Sequence, residues 1–130
     1  MHQFILLLFL CLINTFGFAK PCTFHRSCLE LNNNTSMIAQ INCNWLEGVS
    51  ASGNSRGSTQ LNLAYGDGLG APEPRQVNCI LSKGGSNYNF NFYNPYWGAR
   101  IEFNLKSEKS LEVLVADGWS SQKIPYAFNW

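Results

Sequence analysis

The side chains with the most chemistry in this sequence are its cysteines. Five are present: Cys11 lies in an apolar leader, and Cys22, Cys28, Cys43 and Cys79 follow it. An even set downstream of an export signal is the composition of a disulfide framework, here two bridges with three connectivities open. Metal ligation is the competing use of thiolates, but no C-x-x-C pair occurs and His25 is the only histidine after residue 19. No metal or other cofactor is expected.

Catalytic sets are equally sparse. A Ser-His-Asp or Cys-His nucleophile would rest wholly on His25, which sits between Cys22 and Cys28, and a surface role is the simpler reading. Ribonuclease-type chemistry pairs an acid with a base, yet no spacing sets a glutamate beside His25. Asp67, Asp117 and the glutamates are scattered, so no carboxylate pair for glycosidic cleavage is identifiable. No Gly-rich phosphate loop follows a strand and opens a helix. The chain is therefore expected not to be an enzyme. Tyr93, Tyr96, Trp97, Trp119 and Trp130 are among many aromatics. Most such rings fill the core of a small β domain, while Trp45 and Trp119, beside polar turns, are candidates to stack on a ligand. Asn33 and Asn34 each begin an N-x-[ST] sequon, so one of them offers a glycan acceptor.

These residues need an oxidising compartment and a scaffold. Phe4 to Ile13 is an almost unbroken apolar run, and Gly17-Phe18-Ala19 puts small residues at the positions a signal peptidase inspects. Residues 1–19 are read as a secretory signal peptide, leaving a single β-rich domain over 20–130 that is secreted and extracellular. The apolar run is shorter than the roughly 20 residues a spanning helix needs, so no membrane insertion is expected. The net charge is +1 and charged residues make up 13% of the chain. With no basic stripe, a nucleic-acid partner is excluded. A polar, largely uncharged surface suits neutral hydrogen-bonding partners such as glycans or a cell-surface glycoprotein.

The scaffold is legible as period-two alternation. Met37, Ala39, Ile41 and Cys43 share one face; so do Leu61 and Leu63; Tyr88, Phe90 and Phe92; Ile101, Phe103 and Leu105; Leu111, Val113 and Val115; and Ile124, Tyr126, Phe128 and Trp130. Each set is the pattern of a half-buried antiparallel strand, and no stretch shows helical periodicity with caps. The class is all-β, with six to nine short strands. Polar breakers separate them: Asn32 to Asn34, Val49 to Ser58 (read as a mobile loop), Gly66 to Pro74, Ser82 to Asn87, and Asp117-Gly118. Ala71-Pro72-Glu73-Pro74 reads as a stiff linker.

Two stretches resemble known families. Cys22-Thr23-Phe24-His25-Arg26-Ser27-Cys28, the strand ending at Cys43, Asn44-Trp45-Leu46-Glu47-Gly48, Ser58-Thr59-Gln60-Leu61-Asn62-Leu63 and Gly66-Asp67-Gly68 follow in order. This order resembles one repeat of the cyanovirin-N homology family over residues 22–70. A second repeat would begin near Phe92, giving repeats over 22–72 and 88–130. The resemblance implies a small pseudo-symmetric domain of antiparallel sheets and hairpins, a non-enzymatic lectin for mannose-type glycans. It implies a Cys28–Cys43 bridge within the first repeat and a Cys22–Cys79 bridge to the second half. It places one sugar pocket at Thr23, Arg26, Ser27, Asn44, Trp45 and Glu47, and another at Tyr65, Asp67, Asp117 and Gly118. Separately, Gly85-Ser86-Asn87-Tyr88-Asn89-Phe90-Asn91-Phe92 followed by Trp97-Gly98 resembles part of the plant self-incompatibility proteins, small secreted β-sandwiches. The alternative function is a secreted β-sandwich interaction protein, an effector, toxin or self-incompatibility-like signalling ligand, that binds a protein receptor.

Overall fold

A computed structural model describes residues 28–44, 46, 48–60, 74–96, 98–117 and 122–130. Successive side chains of a strand point to opposite faces, so alternating sequences sort themselves into an inner apolar set and an outer polar set. The strands are β1 (Cys28–Asn33), β2 (Ala39–Cys43), β3 (Val49–Ala51), β4 (Ser55–Gln60), β5 (Arg75–Lys83), β6 (Ser86–Asn94), β7 (Ala99–Ser107), β8 (Ser110–Asp117) and β9 (Lys123–Asn129). The fold is all-β, with no helix among the described residues.

The strands form a five-stranded sheet, β4-β1-β7-β8-β9, and a four-stranded sheet, β3-β2-β5-β6. Each sheet takes strands from both halves of the chain. β7, β8 and β9 form a continuous meander, whereas β1 and β2 fall in different sheets. Pairing is antiparallel throughout, except that β1 lies parallel to β7, with Leu31 beside Phe103.

The inner faces meet in one core. Leu29 and Leu31 of β1, Ile101, Phe103 and Leu105 of β7, and Leu111, Val113 and Val115 of β8 face Ile41, Val77, Leu81, Phe90 and Phe92 of the other sheet, all buried. Phe103 joins the layers: its ring meets Phe90 at 6.0 Å and Phe92 at 6.1 Å, both edge to face. That is the arrangement the ring quadrupoles favour. Lys83, also buried, holds its ammonium 5.0 Å from the Tyr88 ring centre, where the ring face attracts a cation.

Several expectations are corrected. The run from Val49 to Ser58 is not a loop: β3, a turn at Ser52 to Asn54, and most of β4 occupy it. The chain changes sheets there, and Gly57 permits the crossing, because a Cβ at that position would fall on the Ser50 carbonyl oxygen. The breaker at Ser82 to Asn87 shrinks to Gly84-Gly85, both at positive φ (55° and 78°), as a two-residue hairpin turn of the I′ kind requires. β1 and β5 are strands that the alternation reading had not singled out. Leu61, Leu63 and residues 71–73 lie outside the described residues.

The disulfide pairing is also corrected. Cys43 bridges Cys79, directly opposite it across β2 and β5, with Cα atoms 4.0 Å apart. Cys28 is bridged too, to a partner outside the described residues. Neither the Cys28–Cys43 nor the Cys22–Cys79 bridge implied by the resemblance forms. Cys43 and Cys79 are bonded to each other, which leaves neither for Cys28 or Cys22.

Asn33 ends β1 fully buried, at 0% exposure. Its Nδ2 donates to the carbonyls of Met37 (2.6 Å), Ala51 (3.1 Å) and Ser52 (3.2 Å). Its Oδ1 accepts from Thr35 N (3.0 Å) and Thr35 Oγ1 (2.6 Å). One side chain thus ties together three backbone carbonyls where the chain passes between sheets. Asn33 is not an accessible glycan acceptor in the fold; Asn34, beside it, is exposed.

Candidate functional site

Of the residues expected to line sugar pockets, Asn44 of the first and Asp117 of the second are described, and they lie in different sheets. Asn44 follows β2 in the four-stranded sheet; Asp117 ends β8 in the other, opposite Ala99. Thr23, Arg26, Ser27, Trp45, Glu47, Tyr65, Asp67 and Gly118 lie outside the described residues, as do His25, Trp97 and Trp119. Among the described residues, no group of three His, Cys, Asp or Glu side chains is placed to hold a metal. No helix there is long and apolar enough to cross a membrane.

The two outer faces have contrasting chemistry. On the five-stranded sheet the parallel pairing sets Glu30 beside Glu102, a carboxylate adjacency across strands that spacing along the chain could not show. Cations offset these charges. Arg56 Nε lies 2.8 Å from Glu30 Oε1, and Lys123 Nζ lies 3.7 Å from Glu102 Oε2. Asn104 Nδ2 donates to Glu102 Oε2 (3.2 Å) and Glu112 Oε1 (3.1 Å), and its Oδ1 accepts from Asn32 Nδ2 (2.7 Å). This face carries charges of both signs in mutual contact.

The four-stranded sheet presents no charge between its ends. Its outward side chains are Ser50 on β3, Gln40 and Asn42 on β2, Gln76, Asn78, Ile80 and Ser82 on β5, and Asn87, Asn89, Asn91 and Tyr93 on β6. The register aligns them in rows: Gln40–Ser82–Asn87, Asn42–Ile80–Asn89, Asn78–Asn91 and Gln76–Tyr93. Asn44 joins the face beside Asn78, where its Oδ1 accepts from Asn78 N (2.8 Å).

Some of these amides are engaged. Gln76 Nε2 donates to Asn91 Oδ1 (3.1 Å), and Ser82 Oγ donates to Asn87 Oδ1 (2.8 Å). The side-chain amides of Asn42, Asn78 and Asn89 have no hydrogen-bond partner among the described residues and surround Ile80, which is 44% exposed. A shallow depression runs over this cluster, lined by Asn42, Asn44, Asn78, Ile80, Asn89 and Asn91. Tyr93, 48% exposed, stands at the end of the same face. Each free amide offers two donors and an acceptor on a rigid strand.

Sequence reasoning did not name Asn42, Asn78 or Asn89 as a site. Asn42 and Asn89 are polar partners in alternations that mark strands, whereas Asn78 lies on β5, which no such alternation marks. What sequence reasoning lacked was the order β2-β5-β6, which gathers the three.

Comparison of the chain with family models, curated proteins and solved structures finds no match.

Proposed function

We propose that the protein is a secreted, non-catalytic domain that binds neutral oligosaccharides on the outer face of β2, β5 and β6. The observation that carries this reading is the uncharged face on which Asn42, Asn78 and Asn89 flank Ile80. Sugars present hydroxyls that donate and accept at once, and amides fixed on a strand meet them without rearrangement. Ile80 and Tyr93 add apolar surface for the C–H face of a ring. Charged ligands gain nothing on a face without counter-charges.

Mannose-rich glycans come first among ligands to test, because residues 22–70 resemble the cyanovirin-N homology repeat. A glycan array probed with the disulfide-bonded chain is expected to show binding to neutral glycans. Asn42→Ala with Asn78→Ala should weaken it at least about tenfold, the loss of roughly 1.4 kcal/mol. No binding to any neutral glycan would overturn the function. Binding that survives in the double variant but fails in Arg26→Ala would move the site to the pocket implied by the resemblance.

A further inference from the structure

We propose that the chain forms a two-fold dimer by antiparallel pairing of β6 with β6 of a second copy. The inference is independent of the ligand reading.

Among the described strands, β6 is the outer one of its sheet and pairs with β5 alone. The direction of its backbone groups follows from its neighbours. Asn44 N donates to Asn78 O and Asn78 N to Asn44 Oδ1, so the backbone of Asn78 faces β2. Alternation then turns Cys79 toward β6 and its partner Phe90 toward β5. Asn87, Asn89, Asn91 and Tyr93 therefore direct N–H and C=O to the free edge. Tyr126 Oη meets the edge where this predicts, donating to Tyr93 O at 2.9 Å. No hydrogen bond engages the edge groups of Asn87, Asn89 and Asn91 among the described residues.

Exposed edges are normally blunted by charge, proline or shortness. β3 has three residues, and β9 carries Lys123 and Pro125. β6 has none of these devices: its nine residues, Ser-Asn-Tyr-Asn-Phe-Asn-Phe-Tyr-Asn, include no charge, proline or glycine.

The occupant that fits is a second β6. With Tyr93 O already used, the usable edge is Asn87 to Asn91, which is symmetric about Asn89. A two-fold axis there sets Asn89 opposite Asn89 of the second copy and Asn87 opposite its Asn91. Each such pair exchanges both backbone bonds. Every side chain facing across these pairs is an amide, which donates and accepts and so complements its own copy. On the inner side the same register sets Tyr88 opposite Phe90, an aromatic cross-strand pair. With no charge on the strand, self-pairing meets no like-charge repulsion. The axis stands normal to the sheet, so both amide faces lie on one side of an eight-stranded sheet.

The test is sedimentation equilibrium of the disulfide-bonded full chain over about a hundredfold range of concentration, with two variants. Asn89→Pro removes an N–H that points to the edge and leaves the β5 ladder intact. Asn89→Lys places like charges face to face at the axis. The wild-type chain is expected to be dimeric at the upper concentrations, with the amide protons of Asn87, Asn89 and Asn91 protected from exchange only there. Asn89→Lys should be a folded monomer by circular dichroism, and Asn89→Pro the same where it folds. A wild-type chain that stays monomeric overturns the proposal. So does a dimer that persists in folded Asn89→Lys, since its contact must lie elsewhere.

Discussion

Cys43 and Cys79 face each other directly across β2 and β5, and their bridge fastens a five-residue strand to the centre of a nine-residue one. It lies at the edge of the apolar core, where Cys79 is buried and Cys43 partly so. A peptide map of the oxidised protein should therefore recover Cys43 linked to Cys79. In a chain processed after Ala19, the thiol left for Cys28 is that of Cys22. A fragment joining Cys28 to Cys43 would contradict the pairing. The bridge closes a sequence separation of 36. Replacing both cysteines with alanine should cost about 4 kcal/mol through the freed unfolded chain, read as a lower denaturant midpoint.

Asn33 and Thr35 make a second prediction. Asn33→Ala removes a donor shared by the carbonyls of Met37, Ala51 and Ser52 and the acceptor of Thr35, at a fully buried position. A cost of about 2–4 kcal/mol is expected, measured as a shift in chemical unfolding. Asn33→Asp should be at least as harmful, because it turns a donor into a carboxylate aimed at carbonyl oxygens. The same geometry separates the two sequons. In a glycosylating host, any glycan on folded protein should sit on Asn34, and Asn34→Gln should remove its mass. A glycan retained in that variant would show Asn33 accessible after all.

Phe103 is the third. Its ring is the contact shared by Phe90 and Phe92 of the facing sheet, at 0% exposure. Phe103→Ala should cost about 3–5 kcal/mol, and Phe103→Leu distinctly less, because leucine refills part of the space. Thermal unfolding followed in the near ultraviolet reads both. Equal effects from the two variants would mean that the aromatic contacts, not the volume, hold the layers together.

The sequence showed the C-terminal half of this fold more plainly than the rest. β6 to β9 alternate cleanly because each has one face on the core and one in contact with solvent. β1 hides its pattern: Glu30 is 7% exposed and Cys28 5%, so both faces are covered and the strand holds little contrast. β3 and β4 are written in serine, glycine and asparagine, residues that favour turns in isolation. There the pairing of β4 with β1 overrides local preference. The bridge was out of reach for a related reason. Cys43 meets Cys79 because β5 inserts beside β2, and nothing local to either cysteine encodes that neighbour. The amide face was half visible, as the polar partners of the stripes on β2 and β6; β5 and the strand order complete the surface.

The parallel seating of β1 on β7 has a consequence in time. Asn32 and its neighbour Asn104 are 72 residues apart. At about 5–20 residues per second, a ribosome takes several seconds to make that interval. Until β7 emerges, Leu29 and Leu31 lack one of the two strands that flank β1. The five-stranded sheet therefore cannot be completed until the last third of the chain is made. Loop closure over that distance makes it a slow folder for its size.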